Sequence, residues 1–353
     1  MIAPQYEEGE PLFTRFVQSQ TIIFLFFYNQ YVYRQQRHWH SPYHDHRQCD
    51  KHPVITGIRS RIKWAGVNNK QTRIAHEFMR PMHVTTKTGS IFMELGIKNK
   101  VALVLGGGGG LGGAIAQALA GEGVKVAVAD IQQANAQATV DKITQAGQKA
   151  MALQWDLGDL NCIDDKVRQI EAELGPVDIL VNNTGGPPPT PAHGQKAELW
   201  RTHFDSMVLS VIAITDRVLP GMRERKWGRI ITSTSSGVIA PIANLGLSNA
   251  LRLSLVGWSK TLAREVGRDG ITANIVLPGR IATGRITYLD EAKAQREGRP
   301  VAEVAAESTA SIPVGRYGKP QEYGDMVTFL ASERASYITG SVIRVDGGLI
   351  ASI

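Results

Sequence analysis

The chain of 353 residues has little cysteine and no long apolar run. Its two cysteines, Cys49 and Cys162, form no CxxC pair, so neither a disulfide framework nor a cysteine-rich metal site is expected. We therefore expect a reducing, cytoplasmic environment. The strongest apolar run, residues 22–28, is far shorter than the roughly 20 residues of a spanning helix, and the acidic start does not suit a signal peptide. No membrane partner is expected.

Most of the chain also lacks an excess of charge of one sign. The formal net charge of +7 is concentrated in residues 1–92, which hold 12 Lys and Arg against 6 Asp and Glu. Residues 93–353 hold 27 basic and 26 acidic residues and are close to neutral. Because a nucleic-acid-binding protein carries a basic patch or stripe, this body gives no indication of a nucleic-acid partner.

The first 92 residues differ in composition from the rest. They hold more than half of the aromatic residues and 7 of the 9 histidines, but only 4 of the 36 glycines. We predict that 1–92 is an N-terminal extension that is poorly ordered, or a wrongly assigned reading frame upstream of a natural start at Met93. We expect no metal, although one stretch is rich in metal-binding side chains at a spacing that matches no standard zinc module: His38, His40, His44, Asp45, His46, Cys49 and His52.

A glycine-rich stretch, Leu105–Gly113, stands between a short apolar run at 101–104 and a helix-like run at 114–120. A strand, a glycine turn and a helix in this order indicate a dinucleotide site, because glycine lets the backbone approach a pyrophosphate at a helix N-terminus. A flexible glycine linker is the alternative. Three registers fit the stretch: Gly106, Gly110 and Gly112; Gly107, Gly109 and Gly112; or Gly108, Gly110 and Gly113.

From Val101 onwards, short apolar runs alternate with longer amphipathic stretches. Strands are predicted at residues 101–104, 124–129, 150–154, 177–181, 229–231, 271–276 and 342–345. Further helices are predicted near 132–145, 162–174, 198–225, 245–266 and 321–331, with a helical insert near 289–310. This alternation predicts an α/β fold, a doubly wound Rossmann-type parallel sheet with helices on both faces. Residues 93–353 are then a single NAD-binding domain.

Ligands of such sheets bind at the carboxyl ends of the strands. Asp130 ends the second strand, where an acid accepts hydrogen bonds from ribose hydroxyls and repels a 2′-phosphate, so it favours NAD over NADP. Asp156 and Leu157 follow the third strand, where an adenine contact is expected. A helix N-cap is the alternative for both acids. The other candidates end the fourth and sixth strands, with ordinary turns as the alternative: Asn182, Asn183, Gly185, Pro278, Gly279 and Ile281.

Several motifs over residues 95–353 resemble the short-chain dehydrogenase/reductase family, in particular its 3-oxoacyl-(acyl-carrier-protein) reductase-like members. In chain order they are Gly106-x-x-x-Gly110-Leu111-Gly112, Asn182-Asn183-Thr184-Gly185, Phe204-Asp205, Leu219-Pro220-Gly221-Met222, Pro278-Gly279-Arg280-Ile281, Gly315-Arg316 and Asp346-Gly347-Gly348. The resemblance selects the first glycine register. It implies an NAD(P)-dependent oxidoreductase, a small-molecule carbonyl or secondary alcohol substrate such as a 3-oxoacyl thioester, and a homodimer or homotetramer.

The resemblance also implies a catalytic tetrad of Asn, Ser, Tyr and Lys, in which tyrosine protonates the carbonyl and lysine lowers the pKa of the tyrosine. Ser235 keeps the serine position, whereas Met207, Ser248 and Arg252 stand at the Asn, Tyr and Lys positions. A serine hydroxyl is a poor acid, and arginine keeps its proton. We predict Ser235, Ser248 and Arg252 as the catalytic residues, with Arg252 also contacting the cofactor.

Each of these three side chains has an alternative interpretation. Ser235 can be a hydroxyl satisfied at a strand end, Ser248 a serine on the helix surface, and Arg252 a member of a surface ion pair. Three functions stay open. The first is an active but divergent NAD-dependent oxidoreductase. The second is a dinucleotide-binding protein with little turnover and a regulatory or subunit role, and the third is hydration or isomerisation assisted by Arg252. We also expect residues 287–310 to line the substrate site and the helices at 198–225 and 245–266 to form subunit contacts.

Overall fold

The computed structural model describes residues 93–353, in which seven parallel strands form one sheet. The strands are β1 (Val101–Leu105), β2 (Lys125–Asp130), β3 (Ala150–Gln154), β4 (Ile179–Asn183), β5 (Gly228–Ser233), β6 (Ile271–Pro278) and β7 (Val342–Val345). Their order across the sheet is β3-β2-β1-β4-β5-β6-β7. The strand order reverses between β1 and β4, which is where such sheets bind ligands. The predicted doubly wound, Rossmann-type fold is confirmed.

Nine α-helices connect these strands within the described residues. They are α1 (Gly110–Gly121), α2 (Gln133–Gln145), α3 (Ile163–Glu173), α4 (Ala197–Phe204), α5 (Ser210–Glu224), α6 (Gly246–Val266), α7 (Gly284–Glu297), α8 (Val301–Ala310) and α9 (Pro320–Ala331). The predicted helix at about 198–225 is present as an unbroken helical segment, in which an unpredicted π-helical turn at Asp205–Leu209 joins α4 to α5. No helix between residues 93 and 353 has the length and apolar character needed to cross a bilayer.

The helices cover both faces of the sheet, and β1 illustrates how the sequence produces two cores. All five residues of β1 are buried. Val101, Leu103 and Leu105 pack into the core on one face, and Ala102 and Val104 pack into the core on the other. Successive side chains of a strand point to opposite faces, so a strand that is covered on both sides becomes a continuous apolar run. The predictions for residues 1–92, including the histidine-rich stretch, lie outside the described residues.

A buried carboxylate joins β1, β4 and α5 at the amino end of the sheet. Asp178, which precedes β4, accepts a hydrogen bond from the backbone N–H of Val101 at 3.1 Å and another from the guanidinium of Arg225 at 3.1 Å. Arg225 also donates to the carbonyl oxygen of Val177 at 2.8 Å. Buried charges are stable only when they are paired and hydrogen-bonded, as this one is.

Replacing Asp178 with alanine should lower the free energy of unfolding by about 3 kcal/mol, because it leaves the N–H of Val101 and the guanidinium of Arg225 without an acceptor. Urea denaturation measures the loss. Asp165→Ala is the matched control, because Asp165 pairs with Arg168 on the open surface and its removal should cost at most about 0.5 kcal/mol. A loss below about 1 kcal/mol for Asp178→Ala contradicts the assigned role.

Candidate active site

The turn after β1 requires glycine at several positions. Gly106 has a positive φ of 56°, and an added Cβ there would lie 2.5 Å from the carbonyl oxygen of Asn183. A Cβ on Gly112 would overlap the carbonyl oxygen of Gly106, and Gly110 has a φ of 53°. By contrast, the space around a Cβ on Gly109 is open. A Cβ on Gly107 or Gly108 would also lie within 2.8 Å of a neighbouring atom. The stretch is thus a tight turn that needs glycine at positions of more than one register, the choice of the first register stays with the family resemblance, and the flexible-linker interpretation is wrong.

The turn is held by β4 and opens onto the N-terminus of α1. The side-chain amide of Asn183 donates to the carbonyl oxygens of Leu105 and Gly106, each at 3.3 Å. No side chain caps the first turn of α1, which begins at Gly110. Free N–H groups at a helix N-terminus, beside a backbone without side chains, fit a pyrophosphate in charge and in space. The residues present therefore suit a dinucleotide.

Asp130 supports the same turn from the end of β2. One carboxylate oxygen accepts a hydrogen bond from the N–H of Gly108 at 3.0 Å, and the other accepts one from the N–H of Gln132 at 3.0 Å. The N-cap of α2 is Gln132 itself, so the N-cap alternative for Asp130 is wrong. The half-buried carboxylate lies beside the glycine turn, on the side of β2.

Asp156 and Leu157 follow β3 and lie apart from the other predicted residues. Asp156 accepts a hydrogen bond from the N–H of Gly158 at 2.8 Å, which closes a turn. The helical turn that follows is capped by Asp159, so the N-cap alternative for Asp156 is also wrong. Leu157 packs against one of the two cores. Neither residue lines the main cleft, and their contact with an adenine stays a prediction.

A cleft of about 740 Å³ opens at the carboxyl edge of the sheet. Its walls come from the loops after β1, β4, β5 and β6 and from helices α6 and α7. It brings together ten of the predicted site residues: Gly110, Leu111, Asn183, Gly185, Ser235, Ser248, Arg252, Pro278, Gly279 and Ile281. Gly106, Gly112 and Asp130 do not line it, and instead support the glycine turn as described above.

The loop after β6 is fixed against the C-terminal part of the chain. Pro278 is the last residue of β6, and the N–H of Gly279 donates to the carbonyl oxygen of Val345 at 2.9 Å. An added Cβ on Gly279 would lie 2.5 Å from the Cα of Asp346, so only glycine permits this close approach. Ile281 is 3% exposed. The loop is therefore a rigid wall of the cleft.

Two serines face the cleft from neighbouring elements. Ser235 precedes the helical turn Ser236–Val238, and its Oγ accepts a hydrogen bond from the N–H of Gly237 at 3.1 Å. No acceptor for the hydroxyl proton of Ser235 is found within residues 93–353. Ser248 lies on α6 and is only 6% exposed, so the interpretation as a helix-surface serine is wrong. The first turns of α6 pack against the loops of the cleft.

Arg252 lies one helical turn after Ser248 and is 8% exposed. Its guanidinium donates to three backbone carbonyl oxygens, those of Ser233 at 3.4 Å, Thr184 at 3.3 Å and Gly185 at 2.9 Å. Burial, together with the charge of Arg285, lowers the pKa of Arg252 to about 10. Arg252 stays charged at neutral pH, and in the described chain it has no carboxylate partner. The interpretation of Arg252 as a member of a surface ion pair is therefore wrong.

The family described as enoyl-(acyl carrier protein) reductase matches residues 107–350. The curated 3-oxoacyl-(acyl-carrier-protein) reductase of Escherichia coli K12 is 37% identical over 257 residues, which are 72% of this chain and 99% of that protein. The chain belongs to the short-chain dehydrogenase/reductase family. It is an NAD(P)-dependent oxidoreductase of the 3-oxoacyl reductase-like type.

Solved structures agree with membership of the short-chain dehydrogenase/reductase family. The L-sorbose reductase of Gluconobacter frateurii, complexed with NADPH and L-sorbose, is 28% identical with a TM-score of 0.70 and covers 74% of this chain and 100% of its own. A 7α-hydroxysteroid dehydrogenase, complexed with NADH and 7-oxo glycochenodeoxycholic acid, is 28% identical with a TM-score of 0.67 and covers 72% of this chain and 96% of its own. Because the two proteins bind different nicotinamide cofactors, the residues of this chain must decide its preference.

Met207, which stands at the position of the family's catalytic asparagine, lies in the π-helical turn. Met207 is 2% exposed and packs in an apolar cluster with Val208, Val211, Leu251 and Leu255. A thioether is only a weak hydrogen-bond acceptor, so this position does not hold a water as an asparagine side chain can. Leu251 and Leu255 are buried within the subunit, whereas Leu253 on the same helix is 52% exposed.

Arg285, in the first turn of α7, is a cleft residue that the sequence motifs did not identify. Its guanidinium donates to the carbonyl oxygen of Pro187 at 2.8 Å and lines the cleft. The signal was available, because Arg285 follows the segment after β6 by only a few residues. Residues 287–310 were expected to line the site. Leu289 and Ala292 of α7 do line the cleft, whereas α8 contributes no lining residue, so the expectation is wrong for α8.

Proposed function

We propose that this protein is an NAD-dependent reductase of a small 3-oxoacyl compound, working at the cleft between the glycine turn and α7. The single observation that carries the proposal is the juxtaposition, in one cleft, of the N-terminus of α1, the hydroxyl of Ser235 and the guanidinium of Arg252. The first group suits a pyrophosphate, and the other two suit the oxygen of a carbonyl group.

The residues have distinct roles in this proposal. Gly106, Gly110 and Gly112 let the turn hold the cofactor, and Arg252 contacts its ribose side. When bound, the nicotinamide cofactor supplies the hydride that reduces the carbonyl carbon. Ser235 donates a hydrogen bond to the carbonyl oxygen, and the fixed charge of Arg252 stabilises the negative charge that develops there.

The source of the proton distinguishes this site from the tetrad that the family resemblance implies. No Tyr, His, Cys, Asp or Glu lines the cleft in the part of the chain that the structure describes. Ser248 and Arg252 are not acids near neutral pH. A water molecule or the substrate therefore provides the proton. A missing general acid forfeits about 10²–10⁴ in rate, so we expect slow turnover.

A direct experiment tests the proposal with the full chain. NADH is titrated by fluorescence, and turnover is then measured with 3-oxoacyl thioesters and simple ketones. We expect NADH binding and slow reduction of at least one 3-oxoacyl compound. Tight NADH binding without any turnover would favour the second candidate, a dinucleotide-binding protein with a regulatory role, which the replacements at Ser248 and Arg252 support. Absence of NADH binding contradicts both the reductase proposal and this second candidate.

The preference for NAD over NADP is argued from Asp130. The carboxylate lies beside the glycine turn, where it repels a 2′-phosphate, and no Lys or Arg occurs between Gly106 and Ala120 to attract one. Asp130→Ser should therefore reduce the preference for NADH over NADPH by about tenfold or more. This factor corresponds to the loss of about 1.4 kcal/mol of repulsion between the carboxylate and the 2′-phosphate. The ratio of the two dissociation constants is the measurement.

The control for this prediction is Asp141→Ser, which removes the same charge from the exposed face of α2. It should leave the ratio of the dissociation constants unchanged. A wild-type protein that binds NADPH more tightly than NADH would contradict the role of Asp130.

We also propose that the protein forms a homodimer or homotetramer through α5 and α6, for which exposed Leu253 supplies apolar surface. Light scattering of the full chain measures the mass of the assembly. The cytoplasmic location rests on the scarcity of cysteine and stays a prediction.

A further inference from the structure

The cleft is positively charged, and no acid lines it. Five basic side chains line it, and no Asp or Glu does so within the described residues. Three of the five have carboxylate partners on α7 and α8: Arg280 with Asp290 at 2.7 Å, Lys293 with Glu307 at 3.0 Å and Arg296 with Glu297 at 3.5 Å. Over residues 93–353, the other two, Arg252 and Arg285, have no ion-pair partner.

These two arginines hold the same loop from two different helices. The guanidinium of Arg252 on α6 donates to the carbonyl oxygen of Gly185 at 2.9 Å, and that of Arg285 on α7 donates to the carbonyl oxygen of Pro187 at 2.8 Å. Burial lowers the pKa of each, and the charge of Arg285 also lowers the pKa of Arg252. Because their acceptors, Gly185 and Pro187, are two residues apart on one loop, the two like charges lie near each other, and both line the cleft.

Such an arrangement is unfavourable unless a negative charge compensates it. A guanidinium has five N–H donors in a planar fork that matches a carboxylate. Arg252 uses its donors for three backbone hydrogen bonds and Arg285 uses one, so donors of both remain for a ligand. The neighbouring glycines, Gly185 and Gly186, leave the loop without side chains at this point.

We propose that the Arg252–Arg285 pair binds the carboxylate of a small oxo acid. Arg285 holds the carboxylate, and Arg252 lies between the carboxylate and the carbonyl oxygen that is reduced. The substrate class is therefore a free oxo acid, or the corresponding hydroxy acid in the reverse direction. This inference rests on the proposed reductase function for the identity of the reacting carbonyl, but binding of the acid itself requires no turnover.

The test compares two probes that differ in charge and hardly in shape, acetoacetate and acetoacetamide. Their binding to the full chain is measured by isothermal titration calorimetry, first without NADH and then with it. We expect acetoacetate to bind at least about tenfold more tightly, as for one charge-assisted hydrogen-bonded pair. Arg285→Gln should remove this preference. Arg296→Gln, which removes a charge already paired with Glu297, is the control and should retain it.

The outcomes separate this inference from the proposed function. A preference for acetoacetate that depends on Arg285, found without any reduction by NADH, supports the carboxylate site and overturns the reductase proposal alone. Equal binding of the two probes overturns the carboxylate site. A loss of NADH affinity in Arg285→Gln, with the acid preference retained, also overturns it, because the guanidinium then holds a phosphate of the cofactor.

Discussion

Replacing Ser248 with tyrosine and Arg252 with lysine together should raise the rate of NADH-dependent ketone reduction by about 10²- to 10⁴-fold. Among residues 93–353, the cleft is lined by Ser235, for which we propose a hydrogen bond to the carbonyl oxygen, and by no Tyr, His, Cys, Asp or Glu. A tyrosine at 248 places a phenol in the cleft, and a lysine four residues later lowers its pKa from about 10. Single-turnover kinetics with a neutral ketone measures the rate without involving the carboxylate site.

The two single variants are the controls. Arg252→Lys alone should give no gain, because it adds no acid. Ser248→Tyr alone should give part of the gain, since the guanidinium of Arg252 also favours a phenolate. The double variant should in addition acquire a pH profile with an ionisation below the ordinary pKa of tyrosine. Thermal unfolding and NADH titration establish that it is folded and binds the cofactor.

An unchanged rate in a folded, NADH-binding double variant would mean that the cleft is shaped for other chemistry. The third function considered for this chain, hydration or isomerisation assisted by Arg252, would then deserve the next assays. The outcome therefore distinguishes a reductase site that has lost its acid from a site with a different task.

The strands were predictable because their environment leaves a clear mark in the sequence. Strands β1 and β6 are buried along almost their whole length, and β1 is a continuous apolar run bounded by turns. The candidate cofactor residues were predictable for a related reason. In a parallel sheet the carboxyl ends of all strands meet at one edge, so Asn183, Gly279 and the glycine turn come together without any knowledge of the loops.

The roles of single side chains were less predictable, because they depend on contacts across the sheet. The carboxylate of Asp130 bonds to the N–H of Gly108, 22 residues away, and not to the first turn of α2. Ser248 is on a helix with polar residues on several faces. The sequence therefore does not reveal that the face with Ser248 packs against the loops of the cleft. Arg252 finds its acceptors on Thr184 and Gly185, 68 and 67 residues distant.

The path of α4 and α5 was also not predictable from periodicity. Residues 198–225 keep an amphipathic pattern, yet the backbone forms a π-helical turn at Asp205–Leu209. Met207 lies within this turn and packs in the cluster with Leu251 and Leu255. Arg285 was missed because it lies between the motif after β6 and the predicted insert near 289–310, although it follows that motif by only a few residues.

Replacing Gly112 with alanine should lower the free energy of unfolding by about 1–3 kcal/mol. It should also weaken NADH binding at least about tenfold, as expected when a turn that approaches a pyrophosphate is displaced. The physical reason is the missing space: a Cβ on Gly112 would overlap the carbonyl oxygen of Gly106 and lie 2.9 Å from the amide of Asn183. Gly106 belongs to the turn and Asn183 is the β4 residue that holds it, so relief of the overlap must move the backbone at the proposed cofactor site.

Gly121→Ala is the matched control, because Gly121 ends the same helix and a Cβ there meets nothing within 4 Å. This variant should keep its NADH affinity and gain up to about 1 kcal/mol of stability, since alanine is the better helix residue. Gly109→Ala separates the competing registers, because Gly109 has open space and an extended φ of 168°. If Gly109→Ala destabilised the fold as much as Gly112→Ala, the turn would not depend on the close approach at Gly112, and the assignment of Gly106, Gly110 and Gly112 would fail.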